Sequence, residues 1–349
     1  SMMHCVIFLW QFNQFFSTKT MQKKFLLIQT AFTGDVILAT ALAEKLHASF
    51  PNDRIDLLVR KGNDSLFKGH PFLGKVLVWN KKENKYSGLF RLLKEIRKER
   101  YDEVINLQRF ASTGFLTAFS NGISKRGFEK NPFSFLFTKK FPHLLEKGMH
   151  EVDRNQLLIQ DLTDRISGRP ALYPGTEDES AIAEYAGSEF ITIAPGSVWF
   201  TKTFPENKWI DLIKSQLKTK PQLKIFLLGS PDEKEKCERI KAEVKNDLVQ
   251  ILAGKLTLLQ SAALMKKAKM NFSNDSAPMH LCSAMNAPVT AVYCSTVPEF
   301  GFGPLSDQSR IVQTKEQLDC RPCGLHGYKA CPKGHFNCAN SISINDMLL

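Results

Sequence analysis

The segment Thr33-Gly34-Asp35 places a glycine and a carboxylate where an apolar run gives way to a helical pattern. Gly34 permits a tight strand-to-helix turn, and the N-terminus of the following helix is a natural site for an anion. A carboxylate at this point could serve as the general base for a hydroxyl group. The alternative is that Asp35 only caps the helix. The spacing is not GxGxxG, and the chain contains no GxxxxGK[ST], which weakens the dehydrogenase and phosphate-loop ATPase interpretations.

A second segment, Ala194-Pro195-Gly196-Ser197, also follows an apolar run and precedes Thr201-Lys202. A Gly-Ser turn offers backbone N–H groups to phosphate oxygens, and the ammonium group of Lys202 would add a positive charge. Pro205 suits the first turn of the next helix. The alternative is an ordinary strand-to-helix loop with an exposed lysine.

The third segment, Asn274-Asp275-Ser276-Ala277, leads from a strand pattern into a helix, with His280 about one turn inside it. Ser276 and the N-terminal amides could hold a pyrophosphate, while Asp275 could accept hydrogen bonds from sugar hydroxyls. Asp275 as a helix cap is the alternative. Three such segments at predicted strand ends, two of them in the second half of the chain, favour a binding site over capping alone.

Buried strands must position these segments, and the chain alternates short apolar runs with helical patterns. Strands are predicted near residues 25–28, 54–59, 76–79, 104–107, 190–194, 224–228, 249–252, 270–272 and 288–293, and helices near residues 35–50, 89–100, 205–217 and 231–245. This alternation predicts an α/β protein with parallel sheets and helices on both faces. Ligands of such sheets bind beyond the carboxyl ends of the strands.

The length of 349 residues favours two domains over one. We expect an N-terminal extension at residues 1–20, a first α/β domain at 21–172 and a second at 173–349, with a cleft between the two domains. Gly168-Arg169-Pro170 and the acidic run Glu177-Asp178-Glu179 mark the connection. In the extension, the apolar run at residues 6–10 is too short to span a membrane and lacks the flanks of a signal peptide. A surface-lying anchor is the competing interpretation.

Lys and Arg outnumber Asp and Glu 47 to 35, for a net charge of +12. This excess favours anionic partners such as phosphates or acidic lipid surfaces, although it could also serve solubility alone. No helix-turn-helix or RNA-binding signature supports a nucleic-acid partner. The eight cysteines do not form a secreted disulfide framework, because four of them lie together near the C-terminus, which predicts a cytoplasmic protein.

Four motifs in this order resemble glycosyltransferase family 9, the lipopolysaccharide heptosyltransferases. They are Gly34-Asp35-Val36-Ile37-Leu38-Ala39-Thr40, His150-Glu151-Val152-Asp153-Arg154-Asn155, Ala194-Pro195-Gly196-Ser197 with Lys202 and Phe204-Pro205-Glu206, and Asn274-Asp275-Ser276-Ala277-Pro278-Met279-His280. The combination is fairly specific and covers nearly the whole chain from about residue 24.

The resemblance implies a GT-B fold of two Rossmann-like domains and an inverting, metal-independent transfer with Asp35 as the base. It implies heptose from ADP-heptose as the transferred sugar and a lipopolysaccharide core or lipid A-type acceptor. The second domain would bind the donor through Ser197, Thr201, Lys202, Glu233, Asp275, Ser276, Ala277 and His280. The first domain would bind the acceptor through Thr33, Gly34, Arg109, Arg126, Lys139 and Arg154.

The chain departs from familiar members at Ala41, where a proline is common, and at Phe32 and Thr33, where small or apolar residues precede the glycine. These departures bear on the acceptor and leave the base in place. Two alternatives remain open: a GT-B transferase that uses a UDP- or GDP-sugar, and a non-catalytic protein that binds a nucleotide-sugar.

Basic residues of the first domain are interleaved with phenylalanines, and the two could hold an anionic glycolipid at the inner face of the inner membrane. The set includes Arg97, Lys98, Arg100, Lys139, Lys140, Phe133, Phe135 and Phe137. The alternative is a solvated basic face. Cys320, Cys323, Cys331 and Cys338 have a spacing that could bind a structural zinc ion, with reduced thiols in a loop-rich tail as the alternative.

Overall fold

The computed structural model describes residues 22–82, 85–144 and 148–349. The N-terminal extension predicted at residues 1–20 therefore lies outside the described residues. Within these ranges no helix has the length and apolar character that a bilayer crossing requires.

The first half of the chain forms a sheet of six parallel strands in the order β3-β2-β1-β4-β5-β6. Its strands are β1 (Lys24–Ile28), β2 (Arg54–Arg60), β3 (Leu73–Trp79), β4 (Glu103–Asn106), β5 (Ser124–Phe128) and β6 (Lys139–Phe141). The order reverses between β1 and β4, so a crevice opens beyond their carboxyl ends.

The second half repeats the arrangement, with strand order β12-β11-β10-β7-β8-β9 and parallel pairing throughout the sheet. Its strands are β7 (Phe190–Ala194), β8 (Lys224–Leu227), β9 (Val249–Ile251), β10 (Met270–Asn274), β11 (Val289–Tyr293) and β12 (Ser309–Gln313). The reversal here lies between β7 and β10. The prediction of two Rossmann-like halves is confirmed.

Ten α-helices lie within the described residues. They are α1 (Thr33–Ser49), α2 (Lys85–Glu99), α3 (Ala111–Ala118), α4 (Glu151–Gln156), α5 (Thr176–Ala181), α6 (Glu206–Thr219), α7 (Lys234–Val244), α8 (Leu258–Lys267), α9 (Ala277–Met285) and α10 (Asn337–Asn340). The acidic run predicted to lie in the connection forms the first turn of α5, where negative charge is favourable.

The predicted strands all appear, but three further strands were not predicted: β5, β6 and β12. Their sequences are SKRGF, KKF and SRIVQ, which lack a continuous apolar run. β6 and β12 are edge strands, and β5 lies beside β6. Polar and charged residues are common in edge strands, so hydrophobic pattern alone does not detect β6 and β12. β5 is an inner strand, and its apolar pattern is interrupted by the ion-paired Arg126.

The two halves pack directly on each other through α1 and α9. Every residue of α1 from Val36 to Ala43 is buried, so this helix has no solvent-facing side along that stretch. Leu38 and Ala41 pack with Phe302 and Leu305 of the second half. A helix that is apolar around its whole circumference must be buried on all sides. The second half of the chain buries the side of α1 that the first half leaves open. Asp35, in the first turn of α1, is thereby brought to the boundary between the halves.

Candidate active site

A cavity of about 240 Å³ lies between the carboxyl edges of the two sheets. The first half lines it with residues of the β1–α1 turn, and the second half with residues after β7 and β10. Of the predicted site residues, the cavity is lined by Thr33, Gly34, Asp35, Ser197, Lys202, Asp275, Ser276, Ala277 and His280. The three segments that the sequence singled out therefore meet at one site.

Asp35 is partly buried at the start of α1 and faces this cavity. Burial raises the pKa of its carboxyl group, while its own backbone N–H and the positive charges of His326 and Lys202 lower it, and the net change is upward. Loss of solvation makes a carboxylate a stronger base toward a hydroxyl proton. The N-cap position of α1 is taken by Phe32, and Asp35 lies in the first turn of the helix.

Lys202 is directed into the cavity by an ion pair with Asp275, whose Oδ2 lies 2.7 Å from the lysine Nζ. The same carboxylate accepts a hydrogen bond of 2.7 Å from Thr296 Oγ1. Both side chains of the ion pair are largely shielded from solvent, at 16% and 8% exposure. Lys202 is thus held in one orientation beside the N-terminus of α9, where free backbone N–H groups also attract anions.

His280 lies one turn inside α9 and is almost fully buried. Burial lowers the pKa of its imidazole to about 4, so the ring is neutral near pH 7. Its Nδ1 atom has no hydrogen-bond partner among the described residues, although it is shielded from solvent. A buried polar atom of this kind normally has a partner, and the ring lines the cavity.

Asn274, the first residue of the third motif, connects the two loops of the second half and is fully buried. Its Nδ2 donates to the carbonyl oxygens of Pro195 (3.1 Å) and Gly196 (2.9 Å), and its Oδ1 accepts from the backbone N–H of Phe204 (2.9 Å). The amide side chain thereby sets the path of the loop that carries Lys202. Asn274 belongs to a motif that the sequence singled out, but its role becomes apparent only from these contacts.

Two predicted donor residues lie outside the cavity lining. Thr201 is buried and exchanges hydrogen bonds with Tyr328 and Ser295. The Glu233 carboxylate accepts a hydrogen bond from the backbone N–H of Ser230 (2.7 Å) and lies so close to Gly196 that a Cβ there would be 1.6 Å from its Oε1. Glu233 therefore contacts the loop after β7 without reaching the centre of the cleft.

The predicted acceptor cations Arg126, Lys139 and Arg154 are not brought to the cavity. Arg126 is 1% exposed and forms ion pairs with Glu103 (2.7 Å) and Asp161 (2.5 Å), and Lys139 also pairs with Asp161. Arg126 and Lys139 are thus paired with carboxylates of their own domain, so their role in this structure is to stabilise the fold.

Arg154 is likewise buried, in an ion pair with Glu151. Burial raises the pKa of Glu151 to about 7, with Arg154 lowering it and Asp35 raising it. Arg109 is exposed just after β4 and does not line the cavity.

Arg60 does line the cavity, and sequence reasoning missed it. It ends β2, the neighbour of β1, and its guanidinium lies 5.0 Å from the ring centroid of Phe32. The available signal was its position at the carboxyl end of a strand, which becomes informative once the strand order is known.

The four C-terminal cysteines line a second cavity of about 230 Å³ together with His335. Cys320 Sγ lies 3.9 Å from His335 Nε2. Although burial raises the pKa of the Cys331 thiol, the backbone N–H groups of residues 333–336 lower it below its usual value. Within the described residues, however, no three His, Cys, Asp or Glu side chains are arranged as a ready set of metal ligands.

Comparison with known proteins identifies the family. The sequence model of glycosyltransferase family 9 (heptosyltransferase) matches residues 89–327. Lipopolysaccharide heptosyltransferase 1 of Pseudomonas aeruginosa is 24% identical over 310 residues, which cover 85% of each chain.

Two solved structures share the fold. The family 9 glycosyltransferase of Veillonella parvula superposes with a TM-score of 0.75 at 22% identity, over 83% of this chain and 85% of that one. The E. coli ADP-heptose lipopolysaccharide heptosyltransferase II superposes with a TM-score of 0.71 at 22% identity, over 91% and 97%. With its GT-B architecture of two Rossmann-like domains, the chain is a glycosyltransferase and belongs to family 9, the heptosyltransferases.

Proposed function

We propose that this protein transfers heptose from ADP-heptose to a lipopolysaccharide-type glycolipid, with inversion and without a metal ion at the reacting centre. The observation that carries the proposal is the cavity between the domains, in which Asp35 faces Lys202 and the N-terminus of α9. A base on one side and an anion site on the other are what a displacement at a sugar carbon needs.

In the proposed reaction, the acceptor hydroxyl gives its proton to Asp35 while its oxygen attacks the anomeric carbon. The bond between that carbon and the diphosphate oxygen breaks on the opposite face, and the electron pair leaves with the nucleoside diphosphate. Lys202 and the amides of α9 stabilise the negative charge that develops on the leaving group. A positioned base typically contributes about 10²–10⁴-fold to the rate.

The base is tested by Asp35→Asn, which keeps the side-chain size and removes the basic oxygen. We expect transfer to fall by at least about a hundredfold, while nucleotide affinity measured by calorimetry changes little. Asp211→Asn, on the exposed surface of α6, is the matched control and should behave like the wild type. Full transfer activity in Asp35→Asn would rule out this residue as the base.

The donor is tested by thermal denaturation with ADP, UDP and GDP, each with and without EDTA. A ligand that binds only the folded state raises its stability by mass action. Stabilisation by ADP that EDTA does not affect supports an ADP-sugar donor, which a related E. coli structure carries in its name. Stabilisation by UDP or GDP alone would show that the donor carries that nucleotide in place of ADP, and the assignment as a glycosyltransferase would stand.

The acceptor would be embedded in a membrane, and the first domain has a surface suited to that location. We name it the phenylalanine patch: Phe90, Phe115, Phe119, Phe133 and Phe135. Neighbouring rings lie 5.0 to 6.5 Å apart. Phe90 and Phe135 are 61% and 72% exposed, so the patch is open to solvent.

Positively charged side chains lie next to this patch. Lys94, Arg97, Lys98 and Arg100 line a groove of about 520 Å³ with Phe90, and none of the four makes a salt bridge with a residue in the described ranges. Cations that form no salt bridge in the described ranges, next to exposed aromatic rings, match the anionic headgroups and the apolar interior of a lipid leaflet. We propose peripheral contact with the cytoplasmic face of the inner membrane through this surface.

We also propose a structural zinc ion at the four C-terminal cysteines. The support is that Cys320, Cys323, Cys331 and Cys338 line one cavity, and that backbone N–H groups lower the pKa of the Cys331 thiol. Thiolates are the usual ligands of structural zinc. The side chains would close around the ion, and its place is away from the reacting centre.

A further inference from the structure

The C-terminal segment that carries the cysteines is attached to the donor side of the cleft. The guanidinium of Arg321 donates to the carbonyl oxygens of Cys294 (2.7 Å) and Thr296 (2.8 Å), directly after β11. The backbone N–H of Cys323 donates to the carbonyl of Ser295 at 2.9 Å. The segment therefore follows the carboxyl edge of the second sheet, where the donor loops lie.

A second attachment brings this segment against the loop that carries Lys202. The backbone N–H of Tyr328 donates to Thr201 Oγ1 at 2.7 Å, and the backbone N–H of Thr201 donates to the carbonyl of Tyr328 at 3.1 Å. Gly327 has φ of +79°, and a Cβ there would lie 2.9 Å from Thr201 Oγ1 and 3.0 Å from Lys202 Cγ. Both the backbone conformation and the close approach require glycine at this position.

Because its neighbours are held in this way, His326 has a defined place in the cleft. It lines the same cavity as Asp35, Lys202 and His280, and its side chain is exposed to that cavity. In the sequence His326 lies between Cys323 and Cys331. In the structure the second cavity is lined by His335 and the cysteines, without His326.

The other cationic or potentially cationic side chains of the cleft do not account for all the hydrogen bonds that a bound diphosphate could accept. Lys202 forms an ion pair with Asp275, so part of its positive charge is offset by that carboxylate. His280 is buried and its pKa is lowered to about 4, so it carries no charge near pH 7. Arg60 lies over the ring of Phe32 on the first-domain side. On the donor side, His326 is a polar side chain that is exposed to the cavity.

We propose that His326 donates a hydrogen bond to the diphosphate of the bound donor, so that the C-terminal segment completes the donor site. The inference rests on the proposed function, because it takes a nucleoside diphosphate as the leaving group. The contact would strengthen as the sugar–oxygen bond breaks, since the leaving diphosphate then gains negative charge.

Calorimetric titration with ADP and AMP tests this contact on the full chain. Hydrogen bonds to charged groups contribute enough that their loss weakens binding by about tenfold or more. We expect His326→Ala to lose about tenfold or more in ADP affinity and clearly less in AMP affinity, and to slow transfer. His326→Gln, which keeps a neutral donor, should recover part of both losses.

Lys329→Ala is the matched control, because it removes a positive charge from the same segment at a residue that does not line the cavity. It should bind ADP like the wild type, and all three variants should have the wild-type melting temperature. ADP affinity within twofold of the wild type in His326→Ala, or equal losses for ADP and AMP, would overturn the proposal.

Failure of the donor assignment is distinguishable from failure of this inference. If UDP or GDP stabilises the wild-type protein in place of ADP, the ADP-heptose proposal is wrong. The same comparison, made with that nucleoside diphosphate and its monophosphate, then decides the role of His326 independently.

Discussion

The imidazole of His280 packs on Gly34, so that a Cβ at position 34 would lie 2.8 Å from His280 Cδ2. The glycine belongs to the first domain and directly precedes Asp35, whereas the histidine belongs to the second domain. The contact thus joins the turn that carries the proposed base to the helix that forms the proposed anion site. It sets how closely the two halves of the site approach each other.

Substitution of Gly34 tests this contact. Gly34→Ala would press a methyl group against a buried ring that has little room to move, so we expect the domains or the ring to shift. A displacement of about 1 Å at a reacting centre can cost on the order of a hundredfold in rate. Transfer activity and melting temperature would be measured beside Gly187→Ala, whose Cβ would meet no atom within 4 Å. Wild-type activity in Gly34→Ala would show that the contact does not matter.

The buried imidazole predicts a pH-dependent stability. The pKa of His280 falls from 6.5 to about 4 on folding. As the pH drops below 6.5, the unfolded chain takes up a proton that the folded state refuses, so the free energy of unfolding decreases until the pH reaches about 4. The loss from this residue is on the order of 3 kcal/mol.

Chemical denaturation of the wild type and His280→Asn between pH 7 and pH 4 measures this loss. The pKa values of His70 and His143 are also lowered to about 4 by burial, and both residues remain in the variant. The difference between the two slopes therefore isolates His280. Identical pH slopes would contradict the prediction, whatever the variant's absolute stability.

Membrane contact predicts a defined effect of the phenylalanine patch. A variant with Phe90→Ser, Phe119→Ser and Phe135→Ser should lose co-sedimentation with phosphatidylglycerol vesicles, because exposed rings no longer enter the leaflet. It should still bind nucleotide, since the patch lies outside the cleft lining. Ile166→Ser, an exposed apolar residue on the connection, is the control. If the triple variant co-sedimented with the vesicles as well as the wild type does, the phenylalanine patch would not be the membrane-binding surface.

A zinc ion at the cysteines predicts about one equivalent of zinc in the purified protein. Cys331→Ser with Cys338→Ser should remove it and lower the melting temperature, because bound metal stabilises the folded state. Cys237→Ala, in the core of the second domain, should keep the metal. If the purified protein contained no zinc and a chelator left its melting temperature unchanged, the proposal of a structural zinc ion would be wrong.

Much of the architecture follows from local pattern. Short apolar runs such as Phe25-Leu26-Leu27-Ile28 are typical of strands buried on both faces, and their alternation with helices indicates parallel sheets. The turns after them carry glycine, serine and aspartate for reasons of local geometry, so the sequence alone predicted that Asp35, Lys202 and Asp275 lie at strand ends, and in the structure all three line the cleft.

Other features depend on contacts between distant parts of the chain. The polar strands β5, β6 and β12 form because neighbouring strands pair with them, which no local pattern reports. Arg126 and Arg154 have the same chemistry as a ligand-binding arginine, and only their burial and their carboxylate partners show that they stabilise the fold.

The sequence by itself determined that two parallel α/β domains present three polar turns at strand ends, because those turns and strands are encoded by neighbouring residues. Only the tertiary structure decided which side chains share the cleft. It brought Arg60 from β2 and His326 from the C-terminal segment to Asp35. The proximity of such distant residues depends on strand order and on domain packing. Both are determined by the combined burial of residues that are far apart in the chain.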